Sequence, residues 1–300
     1  MKTRKIVLLI ACAALLLICI LQSVLKNTGK TKTFDLKETP DEIVITTPAE
    51  NFKIVRENDA WVVGEKKYPA NENSVQDIVD SLSSIRVLES VTSASSETVI
   101  SQYGLNEGKV VTVEAKKDGK TLRTVKVGKD STAGSQSYIT VDGGKEIYLA
   151  TGNLGGTMNT KVETLRSRVV YSLPKDSIQS VSLSSADGTE FTLSRTGTAE
   201  DFAWYINQPD VSVSADKAKS WFDGLTTAST PQWHDDFVLK GKKLSSATIK
   251  TEDKTITLDL YETEDEQSVY FGKCSETPYQ FELASYTAQK FQKTVQDLTE

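Results

Sequence analysis

Residues Ile6–Leu25 form a nearly unbroken apolar run that directly follows the basic segment Met1–Lys5. A helix rises about 1.5 Å per residue, so a run of about 20 apolar residues spans the ~30 Å hydrocarbon core of a bilayer. No later segment is comparably apolar. The sequence therefore predicts one transmembrane helix, within residues 1–25, followed by a large region outside the membrane.

The apolar run has three possible interpretations: a cleaved secretory signal, a cleaved lipoprotein signal or an uncleaved signal anchor. A secretory signal needs a small-residue cleavage site, and the exit Gln22–Lys26 contains none that is convincing. A lipoprotein signal would place the lipid on Cys12, but cleavage there would leave too short an apolar core before it and a long apolar stretch after it. We therefore favour an uncleaved signal anchor, with the Cys12 lipoprotein as the minor alternative.

Flanking charges indicate the orientation of the anchor. Lys2, Arg4 and Lys5 favour a cytoplasmic N-terminus, although Lys26 and Lys30 on the other side reduce the contrast. Long downstream regions translocate largely regardless of their charge. We expect a single-pass protein of the cell membrane whose bulk is extracytoplasmic, with residues 26–37 as a polar stalk.

Composition indicates which partners are unsuitable and whether disulfides can stabilise the fold. The formal net charge of −6 argues against nucleic acid as a partner, and 25% charged with 38% hydrophobic residues is typical of a folded protein. Beyond residue 25 the one cysteine is Cys274, so no disulfide can form within that region. We expect Cys274 to be a buried small apolar residue rather than a reactive thiol.

The region after the stalk reads as a duplication. In its first half, strand patterns at 41–45, 52–56 and 61–63 precede a break at 68–70 and a helix capped by Asn73 or Ser74. Strand patterns at 110–114, 122–128, 137–141 and 147–149 follow, and then a closing helix near 160–168 with Val162, Leu165 and Val169 inward.

The second half repeats this order. Strand patterns at 176–181, 190–193 and 203–206 precede Pro209 and a helix capped by Ser214, with further strands at 247–250, 255–260, 268–272 and 279–283 and a last helix near 288–298. Adjacent alternating strands favour antiparallel sheets. We therefore predict an α+β fold of two tandem, internally duplicated modules of mainly antiparallel sheet with packed helices, at 38–172 and 173–300.

Several motifs together resemble a known bacterial family, the domain of unknown function numbered forty-three forty. They include Trp61-Val62-Val63, Tyr68-Pro69-Ala70, Tyr103-Gly104-Leu105 and Leu165-Arg166-Ser167-Arg168. The resemblance covers nearly the whole soluble chain and is closer in the first module, because Val238 stands in the second where the first has Gly104.

This resemblance implies a place in the cell envelope. Genes of the family often lie beside those of a gliding-motility-type ABC transporter, comprising an ATPase, a permease and an auxiliary protein. The resemblance therefore implies an envelope accessory protein with such partners. It implies no catalytic residues, because none are established for the family.

Candidate chemistry in the sequence is sparse. His234 is the one histidine, and a metal site using it with Asp235 and Asp236 falls short of the usual zinc ligand set. No motif supports a serine nucleophile or a pairing of Cys274 with His234. We interpret the acids at 262–266 as a solvated turn and the glycines at 152–156 as the start of a helix.

The other singled-out side chains have structural interpretations as well. Trp61 and Trp204 lie on alternating strands, which favours core packing over ligand stacking. Arg166 and Arg168 are two apart near the end of a helix, where exposed charge is the ordinary outcome and a partner contact the less common one.

The sequence therefore predicts no catalytic, cofactor-binding or metal-binding residues and no cofactor. Our leading hypothesis is a non-enzymatic, membrane-anchored extracytoplasmic accessory or scaffold protein of an ABC transport complex. The alternative is an extracytoplasmic binding module for a cell-envelope glycan, lipid or peptide, with a cleft between its modules. A hydrolase using acidic residues is a third reading for which no residue can be named.

Overall fold

Antiparallel strands dominate the computed structural model, which describes residues 31–132, 134–198, 201–236, 241–263 and 269–299. The predicted membrane segment Ile6–Leu25 and the lipidation candidate Cys12 lie outside these ranges. Within them, no helix combines the length and the apolar character needed to cross a membrane. The chain divides into two compact units, one ending at Ser167 and the next beginning at Arg168.

The first unit contains ten strands and four helices among the described residues. They are β1 (Lys32–Asp35), β2 (Glu42–Thr46), β3 (Asn51–Glu57), β4 (Ala60–Val63), β5 (Tyr68–Pro69), α1 (Glu72–Ser83), β6 (Ser84–Ser93), α2 (Glu97–Gln102), β7 (Val111–Lys117), β8 (Lys120–Asp130), β9 (Gln136–Val141), β10 (Glu146–Thr151), α3 (Leu154–Met158) and α4 (Val162–Leu165). All ten strands join one sheet in the order β1-β6-β10-β9-β8-β7-β2-β3-β4-β5.

The second unit contains ten described strands as well. Its elements are β11 (Val169–Ser172), β12 (Ser180–Ser185), β13 (Glu190–Thr198), β14 (Asp201–Ile206), α5 (Ala215–Gly224), β15 (Thr227–Ser229), β16 (Trp233–His234), β17 (Lys242–Lys250), β18 (Thr255–Glu262), β19 (Tyr270–Cys274), β20 (Gln280–Leu283), α6 (Ser285–Ala288) and two 3₁₀ turns, Gln289–Phe291 and Val295–Leu298. Eight strands form a sheet in the order β14-β13-β12-β17-β18-β19-β20-β16, and β11 pairs with β15.

The two units share their strand order. The run β4-β3-β2-β7-β8-β9-β10-β6 of the first unit corresponds, strand by strand, to the eight-stranded sheet of the second. The long strand β6 pairs with both β1 and β10, whereas its counterpart is split into β15 and β16 around Pro231. Proline cannot donate to a strand ladder, which accounts for the interruption.

The units also close in the same way. Immediately before α1, the amide of Asn71 donates to the carbonyl of Leu165 at 2.7 Å. Immediately before α5, the amide of Ser214 donates to the carbonyl of Leu298 at 2.9 Å. In each case the last buried leucine of the unit is tied to the start of its main helix.

Alternating burial produces the core of each unit. In β2 and β3, Ile43, Ile45 and Ile54 are fully buried, and the intervening residues face outward. The helix α1 buries Val75, Ile78, Val79 and Leu82. The apolar periodicity that predicted this helix also included Ile85, which is buried but lies in β6. In the second unit, α5 contributes Ala218, Trp221 and Phe222 to the equivalent core.

Three local predictions differ from the structure. The cap of α1 is Asn71, whose Oδ1 accepts from the amide of Ser74, rather than Asn73 or Ser74. The predicted helix near 160–168 is limited to α4, because Arg166 adopts an extended backbone and forms a bridge with Ala70. Val169, expected to face inward, lies in β11 and is 47% exposed.

Two further segments depart from their predicted form. The last helix, predicted near 288–298, is instead α6 followed by two 3₁₀ turns, although Phe291 and Leu298 are buried as expected. The segment assigned to a stalk includes β1, which pairs with β6. Its partner lies about 50 residues further along the chain, so the sequence around β1 carries no hairpin signal.

Candidate functional site

A groove lies at one end of the eight-stranded sheet in the second unit. It has a volume of about 900 Å³. Its walls are the segment leading into β12, the adjoining ends of β13 and β14, and the turn from β17 to β18. We call it the end groove.

Arg195 on β13 is the central cation of the end groove. Its side chain is 7% exposed, and its Nη1 lies 3.6 Å from Oδ1 of Asp176. The guanidinium also donates to the backbone carbonyl of Asp176 and stacks over the ring of Phe202, with 3.9 Å between Cζ and the ring centroid. Burial lowers the pKa of Arg195, and the charge of Asp176 opposes that shift.

Asp176 is shared between two cations. Besides Arg195, the Nζ of Lys219 on α5 lies 3.6 Å from its Oδ1, yet this buried oxygen accepts no hydrogen bond within the described residues. Asp176 adopts a positive φ of 58°, a conformation that aspartate tolerates better than most residues. This backbone conformation places the Asp176 carboxylate next to Arg195, where it lines the groove.

Most of the remaining lining residues are polar, with Leu173 and Pro174 as apolar members. Hydroxyl side chains come from β12, β13 and the β17–β18 turn, and Glu252 and Asp253 lie at the tip of that turn. Thr251 closes the tip by accepting from the amide of Lys254. Hydroxyls and carboxylates around one aromatic ring can hydrogen-bond a polyhydroxylated or peptide ligand.

The open strand β14 borders the end groove through Phe202. It is an edge of the eight-stranded sheet, paired on one side with β13. On its core side, Trp204 packs edge-on against Phe222 of α5, with ring centroids 4.9 Å apart. Its opposite face carries Tyr205, whose side chain is 58% exposed.

His234 is held by a partner that sequence reasoning missed. Its Nε2 lies 2.9 Å from Oε1 of Glu282, and its ring centroid lies 5.2 Å from that of Phe271. Glu282 lies on β20, the strand that pairs with β16, so the contact follows from strand register. In the described part of the chain, no group of three metal-ligating side chains is brought together.

The sheet separates His234 from Cys274. Trp233 pairs with Phe281 and Phe281 with Gly272, so these residues share one face. Cys274, two residues after Gly272, shares that face, whereas His234 follows Trp233 and points to the other. A Cys–His pair is therefore geometrically excluded.

Cys274 is buried, as the sequence predicted. Burial raises the pKa of its thiol, and burial likewise raises the pKa of the nearby Tyr171 hydroxyl well above its ordinary value. The Tyr171 hydroxyl has no hydrogen-bond partner within the described residues. Both groups are consequently held in their neutral forms.

The other residues singled out from the sequence serve packing or pairing. Trp61 is buried, and the glycine loop begins α3, where Gly155 packs against Asp130. Arg166 is 4% exposed and stacks 3.9 Å from the ring centroid of Tyr68, so the expectation of exposed charge there is wrong. Of the acidic turn, Glu262 ends β18, and residues 264–266 lie outside the described ranges.

The end groove itself carried no sequence signal. Asp176, Arg195 and Phe202 are separated along the chain and belong to no motif. The positive φ of Asp176 and the pairing of β13 with β14 bring them together.

These features define a protein built from two repeated antiparallel-sheet units, with a polar groove and an open sheet edge in the second. The chain belongs to the family described as Domain of unknown function (DUF4340), whose family model matches residues 61–227. The match extends from β4 of the first unit to β15 of the second. No curated protein and no solved structure matches the chain.

Proposed function

We propose that this protein is a single-pass, membrane-anchored extracytoplasmic accessory protein that acts by binding, as an auxiliary part of an ABC transport complex. The proposal takes Ile6–Leu25 as an uncleaved signal anchor. It also takes the two units as products of an internal duplication, which their shared strand order and equivalent closing contacts support.

The observation that carries the proposal is the position of β1. This strand begins at Lys32, and only six residues separate it from the end of the apolar run at Leu25. Six residues can span roughly 20 Å when fully extended. A body tethered so closely remains next to the membrane surface, where its effective concentration toward a membrane-embedded partner is high.

Contacts inside the first unit reinforce this tether. The guanidinium of Arg123 donates to the carbonyl of Phe34 at 2.8 Å and to the carbonyl of Leu82 at 2.7 Å. β1 is therefore bound to the sheet and to the end of α1, so that the first unit cannot move away from the anchor without breaking buried hydrogen bonds. This arrangement suits an accessory subunit more than a long-range tethered receptor.

Crosslinking in native membranes tests the proposal. The full chain with a C-terminal tag is crosslinked and purified, and co-purifying proteins are identified by mass spectrometry. We expect an ABC ATPase and permease. We also expect their recovery to fall when a 30-residue Gly-Ser segment is inserted between Thr28 and Gly29, because a longer tether lowers the effective concentration.

The control carries the same Gly-Ser segment between Glu300 and the tag, which leaves the tether unchanged. Equal recovery from both variants would contradict the tether argument. Recovery of no transporter subunit from the unmodified chain would contradict the accessory function itself.

The alternative function is an extracytoplasmic binding module for an envelope glycan, lipid or peptide. The hydroxyl and carboxylate side chains around Phe202 in the end groove favour a glycan or peptide among these ligands. In the crosslinking experiment this alternative predicts envelope polymer, without transporter subunits, attached to the purified protein.

A further inference from the structure

β14 is the longest edge strand among the described residues, with six residues. The other sheet edges are β1, β5, β11, β15 and β16, each of four residues or fewer. Natural proteins protect edges by shortness, by proline or lysine, or by bulges. β14 contains no proline or lysine, and its pairing with β13 has no register shift.

Strand register shows which backbone groups of β14 are unpaired. The amide of Asn207 donates to the carbonyl of Thr192, so residues 201, 203 and 205 direct their hydrogen-bonding groups toward β13. The N–H and C=O groups of Phe202, Trp204 and Ile206 therefore point away from the sheet. No strand pairs with them in the described ranges.

The first unit shows that this position accepts a strand. After β4, the counterpart of β14, the chain turns back as β5 and pairs with it antiparallel through Val62 and Val63. After β14, a connection of the same length leads Val213 to a bridge with Thr299, just as Ala70 bridges Arg166 in the first unit, but it forms no strand against β14. The second unit thus lacks the strand that the repeat places there.

We propose that a second copy of this chain occupies the open edge, with the two β14 strands pairing antiparallel about a twofold axis at Trp204. This inference is independent of the proposed transport partner. In this register Phe202 lies opposite Ile206 of the other copy, and Trp204 lies opposite its own equivalent. The outward backbone groups of Phe202, Trp204 and Ile206 in each strand then all have hydrogen-bond partners in the other strand. If the axis shifted by one residue, one of these three residues would lose its partner.

Side chains fit this register on both faces. On the exposed face, Tyr205 lies over the small Ala203 of the other copy, and Asp201 lies opposite Asn207, so no like charges meet. On the core face, the partly buried Trp204 and Ile206 continue the apolar surface across the axis. Aromatic and β-branched cross-strand pairs of this kind stabilise antiparallel sheets.

Disulfide trapping tests the register in the full chain. In the double variant A203C/Y205C, the cysteine at position 203 of each copy lies opposite the cysteine at position 205 of the other copy. The expected Cα separation is roughly 4.5 Å, that of a non-hydrogen-bonded antiparallel pair, which a disulfide can bridge. We expect a disulfide-linked dimer on oxidation in native membranes. The matched control T255C/T257C carries two cysteines on the exposed face of the interior strand β18, and it should stay monomeric.

Charge substitution supplies an independent readout. In A203K/Y205K, a lysine of one copy lies opposite a lysine of the other copy at two places across the axis, and the like charges repel. We therefore expect native mass spectrometry of the full chain in nanodiscs to show no dimer. A203K/Y205E sets lysine against glutamate and should restore it. Both positions are exposed, so both variants should keep the wild-type circular dichroism.

Specific results would overturn the proposal. One is the absence of a trapped dimer from A203C/Y205C while maleimide labelling shows both thiols accessible. Another is an unchanged oligomeric state in A203K/Y205K. A third is a disulfide between these cysteines and a different protein. That result would mean that a strand of another protein pairs with β14, and it would leave the transport proposal intact.

Discussion

At the residue scale, close backbone packing explains two glycines of the first unit, Gly104 and Gly128. Gly104 has a φ of 69°, and a Cβ there would lie 2.9 Å from the amide of Lys129. A Cβ on Gly128 would lie 2.2 Å from the carbonyl oxygen of Tyr103, which accepts from that same amide at 2.9 Å. The loop after α2 therefore rests directly on β8, and side chains larger than hydrogen would separate them.

Gly128→Ala should lower the free energy of unfolding of the first unit by about 1–3 kcal/mol, because the backbone at Tyr103 must move to admit the methyl group. Urea unfolding of the full chain measures the change. The control is Gly224→Ala at the end of α5, where the nearest atom to an added Cβ is 3.7 Å away. Equal stability of the two variants would contradict the packing argument.

At the element scale, a buried arginine ties β1 to its sheet. Arg123 is 5% exposed, bonds the carbonyls of Phe34 and Leu82, and lies 3.8 Å from Oδ2 of Asp142. Burial lowers the pKa of Arg123, and Asp142 opposes the shift. Charged donors form the stronger class of hydrogen bond, so this side chain joins three elements at once.

Arg123→Met should destabilise the first unit by about 2–4 kcal/mol, because two carbonyls lose their charged donor. Hydrogen exchange should show the amides of β1 losing protection before those of β2 and β3. Arg86→Met is the matched control, since Arg86 on β6 is exposed. Uniform protection across the unit in the Arg123 variant would contradict an anchoring role.

At the scale of the whole molecule, the unit boundary between Ser167 and Arg168 assigns β11 to the second unit. β11 pairs with β15, and its Val170 and Tyr171 are buried in the core of that unit. A fragment of residues 168–300 therefore keeps a core that a fragment of residues 173–300, starting at the boundary predicted from the sequence, would lose.

We expect the fragment 168–300 to unfold cooperatively and the fragment 173–300 to be less stable by at least about 3 kcal/mol, the burial of two large side chains. Thermal unfolding followed by circular dichroism compares them. Within the longer fragment, Val170→Ser should destabilise and Val169→Ser, at an exposed position, should not. Indistinguishable fragments would show that β11 is dispensable.

The sequence by itself determined the elements whose signals are local. Alternating apolar residues placed β2–β4 and β7–β10 and their counterparts, and 3.6-residue periodicity placed α1 and α5. The order of these signals predicted the repeat, short motifs such as Tyr103-Gly104-Leu105 indicated the family, and the isolation of Cys274 indicated its burial. Each of these inferences depends on neighbours within one or two turns or hairpins.

Tertiary structure alone decided the features that depend on distant partners. The short strands β1 and β11 are specified by pairing with strands about 50 to 60 residues away. Likewise, Arg166 is buried because Ala70 bridges its backbone and Tyr68 covers its guanidinium. Local patterns cannot encode which strand lacks a neighbour, so the open edge of β14 and the end groove beside it became visible only when the sheet was assembled.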